Sequence, residues 1–187
     1  RHVVEQGRRR GDARPLAGTE GLKATGRPFW SPDSRHVAFF TADKLLKVPI
    51  EGGPAQKICD ADGADGSWSD QGLILFDGTA TAPLLGVPAS GGVAKPIIAG
   101  REGEAGMTFG WPQFLPGGDR FLYVVGDSTA DLEGIWMAKA DGSERRRVVP
   151  GLSRAEYVPP GWLLFVRDST LVAQRFDADA GQVSDEP

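Results

Sequence analysis

Pro28-Phe29-Trp30-Ser31-Pro32-Asp33-Ser34-Arg35-His36-Val37-Ala38-Phe39-Phe40 joins an aromatic segment, a polar turn and an apolar segment without interruption. The proline presets φ at the second position of the turn, and the Asp and Ser side chains can hydrogen-bond their own backbone. The apolar residues that follow favour an extended conformation. The stretch therefore predicts two antiparallel strands joined by a tight turn.

Three weaker copies of this unit follow along the chain. They lie at residues 66–76, 112–124 and 156–166. The aromatic residues that we take as equivalent are Trp30, Trp68, Phe114 and Tyr157, at spacings of 38, 46 and 43 residues. The mean period of about 42 matches the roughly 40–45 residues of a four-stranded propeller blade. The repeat predicts an all-β chain, a β-propeller of about four antiparallel blades.

The second half of each unit is a strand, a turn and another strand. Glycine pairs at Gly52-Gly53 and Gly91-Gly92 supply the positive φ that a hairpin turn needs. We predict blades at approximately residues 28–60, 65–100, 107–150 and 154–187. Residues 1–12 then form a polar N-terminal segment, the tail of a preceding blade, ahead of a propeller segment at 13–187.

The two ends of the repeat do not match. Residues 13–16 resemble an outermost strand without a blade of its own, and the residues after Phe176 are too short and polar for a convincing fourth strand. In one arrangement, residues 13–16 pair with residues 170–176 and close a ring of four blades. In the other, a second copy or the parent protein supplies further blades to a larger ring. Both arrangements stay open from the sequence, and a homodimer is one form of the second.

Composition limits the classes of partner. The chain has 26 Gly and 14 Pro, which suits short strands and turns, so we expect almost no helix. A formal net charge of −4 gives no electrostatic reason to bind nucleic acid or an anionic membrane. We interpret the basic clusters at residues 8–10 and 145–147 as solvated strand ends or turns. Cys59, the only cysteine, excludes an intrachain disulfide and reads as a small buried hydrophobe.

The sequence lacks the elements of hydrolytic catalysis. A nucleophile needs a base within hydrogen-bond reach, and the two histidines are His2, near the start, and His36, in a predicted strand. Ser31 belongs to the repeat turn, and no G-x-S-x-G elbow is present. We therefore predict no catalytic residue, no cofactor and no enzymatic activity for this segment.

The Asp-rich stretch at residues 60–66 is the part of the sequence that most resembles a metal loop. An EF-hand calcium loop needs oxygen ligands at positions 5 and 12, which Ala64 and Gln71 would occupy if Asp60 were position 1. A loop between blades explains the composition better. We predict no metal, with a degraded calcium site at Asp60, Asp62 and Asp65 as the alternative.

One set of residues shares a position in the repeat. An aspartate falls in each turn between the second and third strands, and the segments that cross between blades carry charged or aromatic residues. In a propeller these turns and crossings project from one face. The residues that we predict on this face are Asp43, Asp77, Asp127, Asp168, Arg27, Asp65, Trp111 and Arg154. Aspartate commonly caps tight turns, so these aspartates need have no function beyond the fold. The alternative is that the eight residues form a rim that binds a ligand or partner.

The turn and apolar strand at residues 28–40 resemble the repeat of TolB-like β-propellers. Residues 111–118 and 159–168 add a likeness to the C-terminal propellers of bacterial receptor-like serine/threonine kinases. That resemblance implies an extracytoplasmic recognition or sensor module that binds a protein or small molecule and reaches the membrane only through its parent chain. The kinase motifs G-x-G-x-x-G, H-R-D and D-F-G are absent here.

Two other parents fit the same repeat. One is an S9-type, prolyl-oligopeptidase-like peptidase, whose propeller filters substrate for a separate α/β domain. The other is a TolB-like periplasmic scaffold that docks proteins. A kinase domain and transmembrane helix upstream, a hydrolase domain downstream, or a signal peptide with a small α/β domain upstream would distinguish the three.

Overall fold

The computed structural model describes residues 15–78, 83–100, 106–126 and 131–184. Their regular structure is entirely β, with sixteen strands in four sheets of four. Every strand pair in these ranges is antiparallel, and the strands of each sheet follow chain order. In these ranges no helix is long or apolar enough to span a membrane. The predicted all-β architecture of about four antiparallel blades is confirmed.

Each blade takes four consecutive strands. Blade 1 contains β1 (Thr25–Trp30), β2 (His36–Phe40), β3 (Lys44–Pro49) and β4 (Gln56–Asp60). Blade 2 contains β5 (Gly66–Trp68), β6 (Leu73–Phe76), β7 (Leu84–Pro88) and β8 (Lys95–Ile98). Blade 3 contains β9 (Thr108–Phe114), β10 (Arg120–Gly126), β11 (Gly134–Lys139) and β12 (Arg146–Pro150). Blade 4 contains β13 (Glu156–Val158), β14 (Trp162–Arg167), β15 (Thr170–Asp177) and β16 (Gln182–Val183).

The core lies between the blades. Three apolar clusters join blades 1 and 2, blades 2 and 3, and blades 3 and 4 in turn. Phe40 and Phe76, for example, meet across the first interface with ring centroids 5.8 Å apart. Strands β6 and β10 are buried on both faces, because a blade lies on either side of their sheets. Their nearly continuous apolar sequence follows from that double burial.

The turn between the third and fourth strands of each blade rests on the blade before it. Gly92 N donates to Ile58 O at 3.1 Å, which ties blade 2 to the outer strand of blade 1. A Cβ on Gly142 would lie 2.1 Å from Ile97 O, and one on Gly181 would meet the Met137 side chain. These turns need glycine because backbone or side chain of the neighbouring blade occupies the space of a Cβ.

Basic side chains reinforce these junctions. Arg145 Nη1 donates to Ala99 O of blade 2 at 2.9 Å, and Arg146 donates to Ala180 O of blade 4. Arg146 and Arg147 are exposed at the start of β12, as expected for a solvated strand end, and the guanidinium groups of residues 145–147 also donate to backbone carbonyls, two of them in adjacent blades. Residues 8–10 lie outside the described part of the chain.

The segment around Ala17 makes the same contact with blade 1 that the outer strand of blade 1 makes with blade 2. Gly53 N donates to Ala17 O at 3.1 Å, as Gly92 N does to Ile58 O in the next blade. Leu16 packs against the cluster of Phe39, Leu46 and Val48 on the free flank of blade 1. Pro15 and Leu16 are not in a strand, which corrects that part of the strand predicted at residues 13–16. Residues 1–14, including the predicted tail at 1–12, lie outside the described residues.

Blade 4 is completed from its own sequence. β16 pairs with the end of β15 through Phe176 and Val183, so the expectation that no fourth strand follows is wrong. The neighbours of β15 are β14 and β16, and Pro15 and Leu16 lie on blade 1. The described residues therefore do not show the predicted pairing that would close four blades into a ring.

The turn contacts predict a graded response to alanine. Gly142→Ala places a Cβ against Ile97 O, whereas Gly72→Ala has nearly the same φ, +80° against +82°, with nothing within 4 Å. We expect Gly72→Ala to cost about 1–2 kcal/mol through its left-handed backbone. Gly142→Ala should cost at least about 2 kcal/mol more. Urea unfolding of both variants measures the difference in the free energy of unfolding. Equal decreases in the two variants would show that the turn at Gly142 does not pack against blade 2.

Candidate ligand site at the blade crossings

The crossing segments and the turns that follow β6 and β14 lie at one end of the sheets. Arg27 N donates to Ala64 O at 2.7 Å, so the start of β1 is bonded to the segment that crosses into blade 2. Asp77 N donates to Asp65 O at 3.2 Å, which joins the β6–β7 turn to that segment. Val166 N donates to Ser153 Oγ at 2.8 Å in blade 4. The repeat register thus brings residues from distant parts of the sequence to one surface.

Asp65 is the centre of this surface. Its Oδ2 lies 2.9 Å from Arg154 Nη1 of blade 4 and 3.4 Å from Arg27 Nη1 of blade 1. Its Oδ1 accepts a hydrogen bond from Gly66 N at 2.9 Å. The carboxylate side chain is only 7% exposed, while those of Arg27 and Arg154 are 60% and 34% exposed. One buried carboxylate therefore holds two solvent-reaching guanidinium groups from two other blades.

Asp77 holds the segment that crosses from blade 1 to blade 2 through hydrogen bonds to its backbone. Its Oδ1 accepts hydrogen bonds from Ala64 N at 2.9 Å and from Asp65 N at 2.7 Å. A backbone hydrogen bond from Trp111 also reaches this carboxylate and links it to blade 3. Asp77 is buried, so it is a structural clamp as well as a member of the site.

Burial dominates the protonation of both carboxyl groups. It raises the pKa of Asp77, and the backbone hydrogen bonds from Asp65, Ala64 and Trp111 oppose it only in part. It also raises the pKa of Asp65, although Arg27 acts in the opposite direction. The site therefore contains two adjacent carboxyl groups that hold their protons more tightly than exposed aspartates do.

A cavity of about 280 Å³ adjoins Asp77. Phe109, Trp111 and Leu152 contribute apolar walls, and Thr108 a hydroxyl-bearing one. Trp111 has a φ of 51° and is 39% exposed. The partly exposed indole, the buried carboxyl groups and the solvent-reaching guanidinium groups of this surface combine an apolar area with polar groups, as ligand sites do.

The structure brings together five of the eight predicted face residues. They are Arg27, Asp65, Asp77, Trp111 and Arg154. Asp43 instead lies at an exposed turn, where it accepts from Thr41 Oγ1 at 3.2 Å and from Lys44 Nζ at 2.5 Å. Asp168 is exposed in the β14–β15 turn with a φ of 48°. Asp127 lies outside the described residues.

Sequence reasoning missed two supporting residues. Gln113 Nε2 donates to Glu156 Oε1 at 2.9 Å, and its Oε1 accepts from Tyr157 N at 2.7 Å, which joins β9 to β13. Glu156 Oε2 also lies 4.0 Å from Arg154 Nη2. Their contact could have been predicted from the repeat, because Gln113 and Glu156 lie on the first strands of adjacent blades.

Two of the three proposed calcium ligands are engaged elsewhere, and the third, Asp62, is exposed. Asp60 Oδ1 lies 2.6 Å from Lys57 Nζ, and Asp65 binds the two arginines. Within the described ranges, no three His, Cys, Asp or Glu side chains are grouped closely enough to hold a metal ion.

Comparison with known proteins identifies the architecture. No protein-family model and no curated protein sequence matches the chain. Among solved structures, an oligogalacturonate lyase in complex with manganese matches 83% of this chain and 51% of its own, with a TM-score of 0.62 and 13% identity. A gluconolactonase from Xanthomonas campestris matches 87% of this chain and 60% of its own, with a TM-score of 0.60 and 14% identity. The fold is a β-propeller.

A puromycin-hydrolyzing peptidase from Mycobacterium tuberculosis matches 92% of this chain and 33% of its own, with a TM-score of 0.58 and 14% identity. This propeller thus spans between a third and three fifths of these matched chains. All three matched proteins are enzymes by their descriptions. The prediction that the segment is not an enzyme, which rested on the lack of a base near a nucleophile, is contradicted by these matches, because the same fold occurs in proteins described as a lyase, a gluconolactonase and a peptidase.

The burial of Asp77 predicts a pH-dependent effect of its replacement. Because the pKa of Asp77 is raised in the folded state, its stabilising contribution is complete below the ordinary carboxyl pKa and is lost as pH rises through the raised pKa. Asn can still accept from Ala64 N and Asp65 N but cannot ionise. We therefore expect the free energy of unfolding of Asp77→Asn, relative to wild type, to increase between pH ~4 and pH ~7. Urea titrations at several pH values measure it, and a difference that is flat or falls with pH would contradict the assignment.

Proposed function

We propose that this propeller is a ligand-recognition unit, and that it binds a carboxylate- or phosphate-bearing ligand at the blade crossings. The observation that carries the proposal is the pair of guanidinium groups on Asp65. Arg27 and Arg154 come from different blades, and both retain exposed surface. The partly exposed Trp111 is linked to them through Asp77, which accepts hydrogen bonds from the backbone of Trp111 and of Asp65. Guanidinium groups bind carboxylate and phosphate through paired, charge-assisted hydrogen bonds.

The charges leave room for an acidic ligand. One Asp65 carboxylate shares a single oxygen between two guanidinium groups, so most of their donors remain available. Glu156 lies at the 4.0 Å limit from Arg154 and is exposed, which makes it a weak competitor. Trp111 supplies an apolar surface for the rest of the ligand. Small acids and acidic peptide segments both fit this description.

Citrate and a short Asp/Glu peptide serve as the probes. We expect Arg154→Gln to weaken the binding of at least one of them by about tenfold or more, because a charge-assisted hydrogen bond contributes roughly 1.5–3 kcal/mol. Isothermal titration calorimetry measures the affinity, and thermal melting checks the fold.

Arg120→Gln is the matched control, because Arg120 pairs with exposed Glu144 at 3.2 Å at the opposite end of the sheets. The Arg120→Gln variant should bind citrate and the Asp/Glu peptide with the same affinity as the wild-type protein. No binding of either probe, or equal binding by the Arg154 and Arg120 variants, would refute the site.

Acid–base catalysis at the same site is a second candidate function. The specific observation is the pair of carboxyl groups at Asp65 and Asp77, both with raised pKa values, of which Asp77 lines the 280 Å³ cavity. Perturbed carboxyl groups of this kind occur at positions that exchange protons with a substrate. Asp77 is the candidate proton-exchanging group, because it also lines the cavity.

The activities named for the matched proteins define the assay. Oligogalacturonate, gluconolactone and puromycin are the substrates to test, with Asp77→Asn and Asp43→Asn compared. If the site is catalytic, Asp77→Asn should lower kcat by about a hundredfold or more, whereas Asp43→Asn should not change it. Turnover that Asp77→Asn leaves intact would reject this role.

The parent protein is a further part of the proposal. The resemblance of the repeat supports the extracytoplasmic sensor of a receptor-like serine/threonine kinase. An S9-type peptidase propeller and a TolB-like docking scaffold are the alternatives. The structural match to a puromycin-hydrolyzing peptidase supports the peptidase propeller. The reading frame around these residues distinguishes them by the domains it encodes.

A further inference from the structure

A second cavity lies at the opposite end of strand β6 from the site above. The groove has a volume of about 520 Å³ and runs between blades 1 and 2. Its lining residues come from the β1–β2 turn, the β5–β6 turn, β2, β3 and β5, and include Asp33, His36, Lys47, Trp68 and Asp70. All of them are described residues.

The groove contains a charged side chain where the repeat otherwise has none. By strand register, Lys47 pairs with Ala38 in blade 1. The corresponding residues in blades 2, 3 and 4 are Gly86, Met137 and Ala173. The other three blades pack without an ammonium group at this position, whereas Lys47 Nζ here donates to Ala89 O in the β7–β8 turn of blade 2. Departures of this kind from a local pattern mark functional positions.

The aromatic position next to it is also unusual. Phe114 and Tyr157, the equivalents of Trp68, pack edge-on against Phe121 and Phe176 of their own blades. Trp68 packs against the core cluster between blades 1 and 2 and also lies beside polar groups, with its ring centroid 6.3 Å from that of His36 and 5.9 Å from Lys47 Nζ. It is partly exposed. The groove therefore offers an indole surface bordered by hydrogen-bonding side chains.

The polar groups of the groove are mixed donors and acceptors. Lys47 Nζ donates one hydrogen bond to Ala89 O at 2.7 Å, and no carboxylate of the described residues forms a salt bridge with it. An ammonium group has three donors, so further donors remain. Asp33 and Asp70 supply exposed carboxylate acceptors. The charges nearly balance, which disfavours a strongly charged ligand and suits one whose groups both donate and accept.

We propose that this groove binds a neutral pyranose sugar. The apolar C–H face of such a ring packs on the Trp68 indole, and each hydroxyl can accept from Lys47 or His36 while donating to Asp33 or Asp70. A volume of about 520 Å³ falls within the ordinary range of small-ligand sites. The groove and the arginine site lie at opposite ends of β6, so this inference does not depend on the proposed function.

The probes are methyl glucopyranoside, maltose, cellobiose and diacetylchitobiose, added to ¹⁵N-labelled protein up to tens of millimolar. We expect a saturable shift of the Trp68 indole N–H signal with at least one of them, assigned by its loss in Trp68→Leu. Asp70→Ala, which leaves the Lys47–Ala89 hydrogen bond untouched, should weaken binding by about fivefold or more. Lys47→Met should weaken it at least as much.

Three controls separate binding from folding. Trp30→Leu changes the equivalent, 54% exposed tryptophan of blade 1 and should leave affinity unchanged. Arg154→Gln should also leave it unchanged, because that residue belongs to the other site. Lys47→Arg should restore part of the affinity that Lys47→Met loses. Absence of a saturable shift with all four sugars, or affinity that Asp70→Ala and Lys47→Met do not alter, overturns the proposal.

Discussion

A single blade of this protein has no interior of its own, so every blade depends on the face of the next. The buried aromatic and aliphatic side chains lie between sheets, as with Phe40 against Phe76, rather than within them. Burial of such side chains contributes roughly 1.5–3 kcal/mol each, which makes the stacked faces the main source of stability. The glycine turns follow from this arrangement. They bring the edges of adjacent sheets close enough for backbone hydrogen bonds such as that from Gly92 to Ile58.

The same stacking creates the two candidate sites by different means. At the blade crossings, Asp65 gathers side chains from blades that are far apart in sequence. In the groove, Lys47 and Trp68 meet across one interface, and the other blades have an uncharged residue at the position of Lys47. Both sites lie at the ends of the sheets, where water can still reach the exposed part of each charged side chain.

The repeat predicted much of the fold from sequence, because the aromatic residue, the turn and the apolar strand recur with the period of a blade. It also predicted five residues that come together at the crossing face, Arg27, Asp65, Asp77, Trp111 and Arg154. It could not predict that Asp77 is buried while Asp43 is exposed, since both occupy the same turn and only the crossing segment at Ala64 distinguishes them. Nor could it show that Arg27 and Arg154 meet on one carboxylate, because that contact depends on how tightly the blades curve around their axis. The two-residue strand β16 was missed because its sequence is short and polar, and its pairing with Phe176 depends on tertiary context.

The glycine-to-carbonyl contacts have a consequence for how such chains can change in length. Each contact joins the turn of one blade to the outer strand of the blade before it, and the contact of Gly53 with Ala17 has the same form as that of Gly92 with Ile58. Duplication or loss of one whole unit leaves every remaining junction with both of its partners. A shorter insertion or deletion separates a turn from its carbonyl and exposes apolar surface on two sheets at once. A change of chain length that keeps these contacts therefore adds or removes whole blades. A feature that lies at one interface, such as the Lys47 groove, depends on the neighbouring blade that completes it.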